Sequence, residues 1–264
     1  MQRLYTTLVF LTLLISAGVV SGQDEPVFTN LSNGDTITDQ FERTVSAKLY
    51  SFDASAGDVV TISMTQASEE LDPYLVLLGS AGEVLTTDDD SGEVLYSASI
   101  QNFEIPADGD YLILATTFEA IRGVFETLRN PLSYELSLNG ITTPVDGDIE
   151  TVTLSATALE PGANLRLTIE QEEPIYFLQF SGFAGQSVTI DMQSEDFDTL
   201  LYLFGPDGSR ISSNDDNEDS TNSRIEGFEL PEDGVYLIFA TSYDFTFAVE
   251  QDWTGGGEFL LTMQ

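Results

Sequence analysis

The chain has 264 residues, 42% of them hydrophobic, with 45 acidic against 8 basic side chains and a formal net charge of −37. That balance excludes nucleic acid as a partner, because the phosphate backbone is repelled, and argues against an anionic membrane surface. Cysteine and histidine are both absent, which removes disulfide frameworks, thiolate and HExxH metal sites, and the Ser-His-Asp and Cys-His nucleophile systems.

The first predicted element is an export signal. Met1-Gln2-Arg3 leads into an apolar run from Leu4 to Val20, and the small residues Ser21 and Gly22 precede Gln23-Asp24-Glu25-Pro26. A basic start, an apolar stretch and a small-residue exit make a secretory signal, here cleaved after Gly22. The run holds Thr6, Thr7, Thr12 and Ser16 and falls short of the roughly 20 apolar residues of a membrane span. The protein is therefore expected to be secreted, extracellular or periplasmic by bacterial-type export, without membrane insertion after cleavage. Residues 1–22 contain Arg3 and no acid, so their loss takes the charge from −37 to −38.

After the signal the periodicity is that of strands. Val59 to Met64, Tyr74 to Leu78, Tyr111 to Leu114 and Ser133 to Leu138 are short runs rich in β-formers. Ala56-Gly57-Asp58, Gly79-Ser80-Ala81-Gly82 and Ala107-Asp108-Gly109 separate them as turns. Strands about ten residues apart with glycine turns predict an all-β sandwich. No stretch of the mature chain shows a convincing helical period.

The same series then recurs. Residues 51–64 (SFDASAGDVVTISM) align with 179–192 (QFSGFAGQSVTIDM), 71–90 with 197–216, and 100–116 (IQNFEIPADGDYLILAT) with 225–241 (IEGFELPEDGVYLIFAT). The offset drifts from 128 to 126 to 125, so two small deletions separate the copies. A period this long marks a duplicated domain. The expected organisation is a signal peptide over 1–22, a first sandwich over 24–140, a polar turn-rich linker over 141–150 and a second sandwich over 151–264. Thr151 to Leu159 would open the second copy. Tyr111 and Tyr236 each follow a glycine turn at the start of the strongest strand, which resembles the corner device of Greek-key sandwiches. Both are read as structural.

Together these positions carry a recognisable pattern. The first copy has Gly57, Asp72, Leu75, Leu77, Gly82, Asp89-Asp90, Phe103, Pro106, Asp108, Gly109 and Tyr111. The second has Gly185, Asp198, Leu201, Leu203, Gly208, Asp215-Asp216, Phe228, Pro231, Asp233, Gly234 and Tyr236. Both copies resemble the bacterial pre-peptidase C-terminal domain over nearly their whole length. The resemblance implies two tandem jelly-roll-like or Greek-key β-sandwiches. It also implies an accessory module of the kind that trails secreted peptidases, some of which bind calcium or an extracellular polymer. With no peptidase ahead of the two copies, a role in protease maturation is not expected.

The residues themselves offer little catalytic chemistry. Lys48 is the single lysine and sits in a strand-like run. Asp90-Ser91-Gly92 spells the aspartic-protease triplet but is flanked by acids, and the second copy has Asp216-Asn217-Glu218 in its place. No carboxylate pair is singled out for glycoside hydrolysis. The acidic turns say more. With Gly79–Gly82 as a four-residue loop, counting back along both strands puts Asp72 opposite Asp89; the same count puts Asp198 opposite Asp215. Like charges so placed destabilise a sheet, and a hard cation with oxygen ligands would resolve the conflict. The candidate calcium ligands are Asp72, Asp88, Asp89, Asp90, Asp198, Asp215 and Asp216. Asp215, Asn217, Asp219 and Glu226 also match EF-hand spacing, but Ser220 stands where glycine is needed, and the match is read as coincidence.

The last feature is aromatic: Tyr243, Phe245, Phe247 and Trp253 ahead of Gly255-Gly256-Gly257. Alternate residues are read as core, with Trp253 exposed; the competing reading is a loop that holds a sugar or peptide chain. The expected function is a non-catalytic binding or accessory module, calcium-stabilised, whose partner is an extracellular protein or polysaccharide or a separate secreted protein. Its rivals are a carboxylate-only extracellular hydrolase acting on glycans and a structural protein of the cell envelope.

Overall fold

The computed structural model describes residues 28–42, 46–68, 70–121, 131–142, 156–217, 220–249 and 253–264. The export signal, most of the linker and residues 151–155 of the predicted opening strand lie outside them. The first copy runs β1 (Thr29–Asn30), β2 (Thr36–Phe41), β3 (Ala47–Ala54), β4 (Val59–Gln66), β5 (Pro73–Gly79), β6 (Val84–Asp88), β7 (Ala98–Glu104), β8 (Gly109–Thr117), the four-residue helix α1 (Phe118–Ile121) and β9 (Leu132–Asn139). The second runs β10 (Thr157–Ala158), β11 (Asn164–Ile169), β12 (Ile175–Gly182), β13 (Ser187–Ser194), β14 (Thr199–Phe204), β15 (Arg210–Asn214), β16 (Ser223–Glu229), β17 (Gly234–Ser242), a 3-10 turn over Phe245–Val249 and β18 (Gly257–Met263). Every strand read from the first copy's pattern is present, and so are its counterparts in the second.

The sheets are ordered β2-β9-β4-β7 and β1-β3-β8-β5-β6 in the first copy, and β11-β18-β13-β16 and β10-β12-β17-β14-β15 in the second. Leaving out the two-residue edge strands β1 and β10, each copy is an eight-stranded jelly roll of two interlocked Greek keys. β1 and β10 add to β3 and β12 in parallel.

Each sandwich has its own core, set by strict alternation in the outer sheets. Val60, Ile62 and Met64 of β4 point inward, as do Val188, Ile190 and Met192 of β13, with Thr61 and Ser63, or Thr189 and Asp191, on the opposite face. The corner tyrosines close the cores as expected. Tyr111 Oη donates to the Ala107 carbonyl at 2.7 Å and Tyr236 Oη to the Glu232 carbonyl at 2.6 Å. Their rings stack on Phe52 and Phe180, with centroids 5.5 and 5.4 Å apart. Lys48 is also structural. Its Nζ pairs with Asp39 at 2.8 Å, while Tyr50 Oη donates to the same carboxylate and lies 2.6 Å from Tyr134 Oη. Burial alone would raise the Asp39 carboxyl; the hydrogen bonds from Lys48, Tyr50 and the Gln40 N–H outweigh it and hold Asp39 below its ordinary value.

A third core lies between the sandwiches. The five-stranded sheets are apolar on both faces, and their outer faces meet. Leu49, Val76, Leu78, Leu112 and Leu114 of the first copy pack with Phe177, Leu200, Tyr202, Phe204, Leu237 and Phe239 of the second. The described chain is thus four sheets deep, with three apolar layers between them. The contact is reciprocal. The β5–β6 turn of the first copy presses on the start of β12, and the β14–β15 turn of the second on β3. A side chain on Gly82 (φ +96°) would collide with the Ile175 carbonyl oxygen, and one on Gly208 (φ +77°) would stand 2.9 Å from that of Leu49, so both turns need glycine for conformation and for clearance. The Leu49 N–H donates to the Gly208 carbonyl at 3.0 Å. Arg210, buried in this layer, donates to Ser46 and Ser213 and lies 5.8 Å from the Tyr202 ring centroid.

Candidate functional site

The acidic turns form one cluster per copy, at the end of each sandwich where the β5-type strand begins. The predicted facing pairs are not in register. Each hairpin carries a bulge, at Leu85 and at Ile211, and closes through a three-residue turn, with the Gly79 N–H donating to the Glu83 carbonyl and the Gly205 N–H to that of Ser209. Leu75 therefore pairs with Asp88 and Leu201 with Asn214. That register is two residues from the one a four-residue loop would give, and Asp72, Asp89, Asp198 and Asp215 lie beyond the last paired residues. A bulge leaves no mark in a turn sequence, which is why counting from the loop failed.

The acids nonetheless act on one another. Burial, then Glu119, Asp90 and Asp89, push the Asp72 carboxyl up; burial, then Asp216, Asp215 and Asp244, push Asp198 up to about 6. These two sets correspond member for member: Asp72 with Asp198, Asp89 with Asp215, Asp90 with Asp216, and Glu119 with Asp244. Glu119 and Asp244 were missed by reading turns alone; their alignment in the repeat, FEAI against YDFT, is the signal that marks them. The clusters are tied down alike. The Phe118 N–H donates to the Asp72 carbonyl at 2.9 Å and the Tyr243 N–H to that of Asp198 at 2.9 Å.

Within the clusters the roles diverge. Asp88 is a turn-former: its Oδ1 accepts the N–H groups of Ser99 at 2.5 Å and Ser91 at 3.1 Å. Asp215 Oδ1 accepts the Asp216 N–H at 3.0 Å. Asp198 Oδ1 is buried without a hydrogen-bond partner among the described residues, a costly state for a carboxyl oxygen. The donor set suits calcium in kind, being all hard oxygens. Among the described residues, however, no three acidic side chains already converge on one point, so a cation would have to draw them together.

The aromatics depart from the reading given above. Phe245 is fully buried, whereas Phe247 is 56% exposed and Trp253 is half-buried against the second core, its Nε1 donating to the Asp244 carbonyl at 3.1 Å. The segment coils as a 3-10 turn and does not extend as a strand, so the alternation assumed for a strand puts the wrong ring outside.

Comparison with known proteins gives the family. The profile of the bacterial pre-peptidase C-terminal domain matches residues 46–117 and 177–242, and the chain belongs to that family, twice over. No curated protein sequence matches it. Among solved structures it is similar to the pre-peptidase C-terminal domain of collagenase from Bacillus anthracis, at 14% identity and TM-score 0.35, covering 45% of this chain and all of that one. It is also similar to PliG of Aeromonas hydrophila, a periplasmic inhibitor of g-type lysozyme, at 15% identity and TM-score 0.31, covering 43% of this chain and 96% of that one. Domains of this family are accessory modules. Among the described residues no helix is long and apolar enough to cross a membrane.

Proposed function

We propose that the chain is a secreted, non-catalytic binding or accessory module, exported by the segment over 1–22 and acting at an extracellular protein or polysaccharide or on a separate secreted protein. The observation that carries this reading is the placement of the acids. In both copies they gather at turn ends around the same four positions. In the polar hollow around Glu195, Asp196 and Glu258 two of the acids are already engaged: Asp196 accepts the Glu258 N–H at 3.0 Å, and Glu258 leans to Arg166 at 3.9 Å. The mature chain is expected to show no turnover on casein, gelatin or a panel of glycans. Turnover that disappears when one carboxylate, such as Asp196 or Asp198, is changed to its amide would overturn the reading in favour of a carboxylate hydrolase.

Calcium belongs to the same proposal, as a stabiliser of the two clusters held by Asp198, Asp215, Asp216 and Asp244 and by Asp72, Asp89, Asp90 and Glu119. What supports it is the repulsion among these groups, kept in two copies, and the unpartnered oxygen of Asp198. A ligand bound only by the folded state stabilises it by about 2.7 kcal/mol at a hundredfold excess over Kd. Calcium is therefore expected to raise the melting temperature beyond sodium chloride at equal ionic strength, which controls for screening of the overall charge. Asp198→Asn is expected to remove part of that increment. An increment no larger than the salt control, or one untouched in Asp198→Asn and Asp72→Asn, would leave the clusters as acidic turns only.

A further inference from the structure

Where the two sandwiches meet, one edge of their shared layer opens into a cavity of about 500 Å³, a size typical of small-ligand sites. Four of its walls are aromatic: Tyr74 and Phe118 from the first copy, Tyr243 and Phe247 from the second. The Tyr74 and Phe118 ring centroids lie 6.5 Å apart at 36°. Phe247 is held out at the rim by the same 3-10 turn that buries Phe245. The remaining polar wall is acidic. Asp88 lies at the rim with its Oδ1 turned to the Ser91 and Ser99 N–H groups, and the neighbouring Asp89 carboxylate makes no hydrogen bond among the described residues. No lysine or arginine is among the residues that line the cavity.

This combination selects for one chemistry. Aromatic faces are negative and attract a cation within about 6 Å of the ring, and a carboxylate at the rim adds full charge to the same field. A bare metal ion gains nothing from ring walls, since hard cations want a shell of oxygens. A neutral apolar ligand would cover the carboxylates without replacing their water. A neutral sugar would bring only hydroxyl donors to Asp89 and leave its full charge uncompensated against the rings. Nor is the arrangement a by-product of the repeat: Leu200 stands at the position equivalent to Tyr74 and Asn214 at that of Asp88, so the cage exists on one side only. We propose that this inter-sandwich cavity binds an alkylammonium group, a primary or quaternary amine on a short aliphatic stem. The proposal rests on the reading of the chain as a binding module and names the ligand class of this cavity.

The test is calorimetric titration of the whole mature chain in EDTA, which keeps Asp89 clear of divalent ions. Three probes are used: choline, N-acetyl-lysine methylamide, and 3,3-dimethylbutan-1-ol as the neutral isostere of choline. At least one ammonium probe is expected to bind about tenfold or more tightly than the alcohol, the preference of a desolvated cation–aromatic site. The better of the two shows whether the source is a free quaternary amine or the lysine side chain of a polypeptide. Phe247→Ala and Asp89→Asn are each expected to weaken that probe about fivefold or more without a fall in melting temperature. If Phe247→Ala lowers the melting temperature, Phe247→Leu decides, because it keeps apolar bulk and removes the ring; full affinity in that variant would overturn the proposal. So would equal binding of the neutral alcohol, binding of neither ammonium probe, or affinity untouched by Asp89→Asn. Hydrolytic turnover with ammonium binding intact would instead remove the accessory-module reading and leave this site standing.

Discussion

Residues 28–142 and 156–264, expressed as separate chains, are expected to fold and then to bind each other. Folding follows from topology and packing: each part holds all eight strands of its jelly roll and a complete inner core. Association follows from the outer face of the five-stranded sheet, which in a lone half would show Leu49, Val76, Leu78, Leu112 and Leu114 to water, or Phe177, Leu237 and Phe239 in the other. A patch of this kind is seldom left open on a monomer. Mixed halves should elute as a one-to-one complex in size exclusion with light scattering, and each half alone should self-associate or bind a hydrophobic dye. One truncation separates the two layers. Leu114→Ala is expected to cost about 2–5 kcal/mol in the whole chain, as for any buried leucine. In the isolated first half it should cost under about 1 kcal/mol, because the side chain there already faces solvent. Two soluble monomeric halves that ignore each other, with Leu114→Ala equally costly in both contexts, would show that the sandwiches are independent.

The inter-sandwich layer also shows where the sequence was readable and where it was under-read. Strands of the outer sheets alternate: TISMT in β4, SYELSL in β9 and VTIDM in β13 show one apolar face each, and that period predicts a sheet with one side in water. Strands of the inner sheets do not alternate. YLVLLG in β5, YLILAT in β8, TLLYLF in β14 and VYLIFAT in β17 are continuous apolar runs, the mark of strands buried on both sides. Four such runs, two in each copy, announce a third apolar layer that counting strands and turns does not reveal. The acidic clusters were half-legible. Asp72, Asp89, Asp90 and their counterparts stand out in the repeat, but their spacing depends on bulges at Leu85 and Ile211, which belong to the pairing of two strands and have no local signature. The cavity was less legible still. Tyr74 and Phe247 are 173 positions apart, and only the docking of the two copies brings them to one wall.

Acidification from pH 7 to pH 5 is expected to stabilise the fold, and Asp53 provides the sharpest handle on the effect. Asp53 on β3 pairs directly with Asp110 on β8. Burial, then a hydrogen bond and charge repulsion from Asp110, push its carboxyl up to about 6, against the opposing hydrogen bond of Asn30. A carboxyl near 3.8 when unfolded and near 6 when folded takes up its proton more readily in the folded state. Its contribution is therefore complete below the unfolded value and is lost as pH rises through the folded one. A shift of this size on a deeply buried group would be worth about 3 kcal/mol, but Asp53 is only partly buried, and screening reduces the expected gain to about 1 kcal/mol. That corresponds to about 2–4 °C in melting temperature for a chain of this size. Relief of repulsion across the whole acidic surface adds to the gain in any variant, so the decisive quantity is a difference. Asp53→Asn keeps a hydrogen-bonding group beside Asp110 and removes the second charge. It should melt higher than the wild type at pH 7, match it near pH 4, and gain correspondingly less between the two. A variant that melts no higher than the wild type at pH 7, with an unchanged gain on acidification, would show that the two carboxylates share their strand pair without cost.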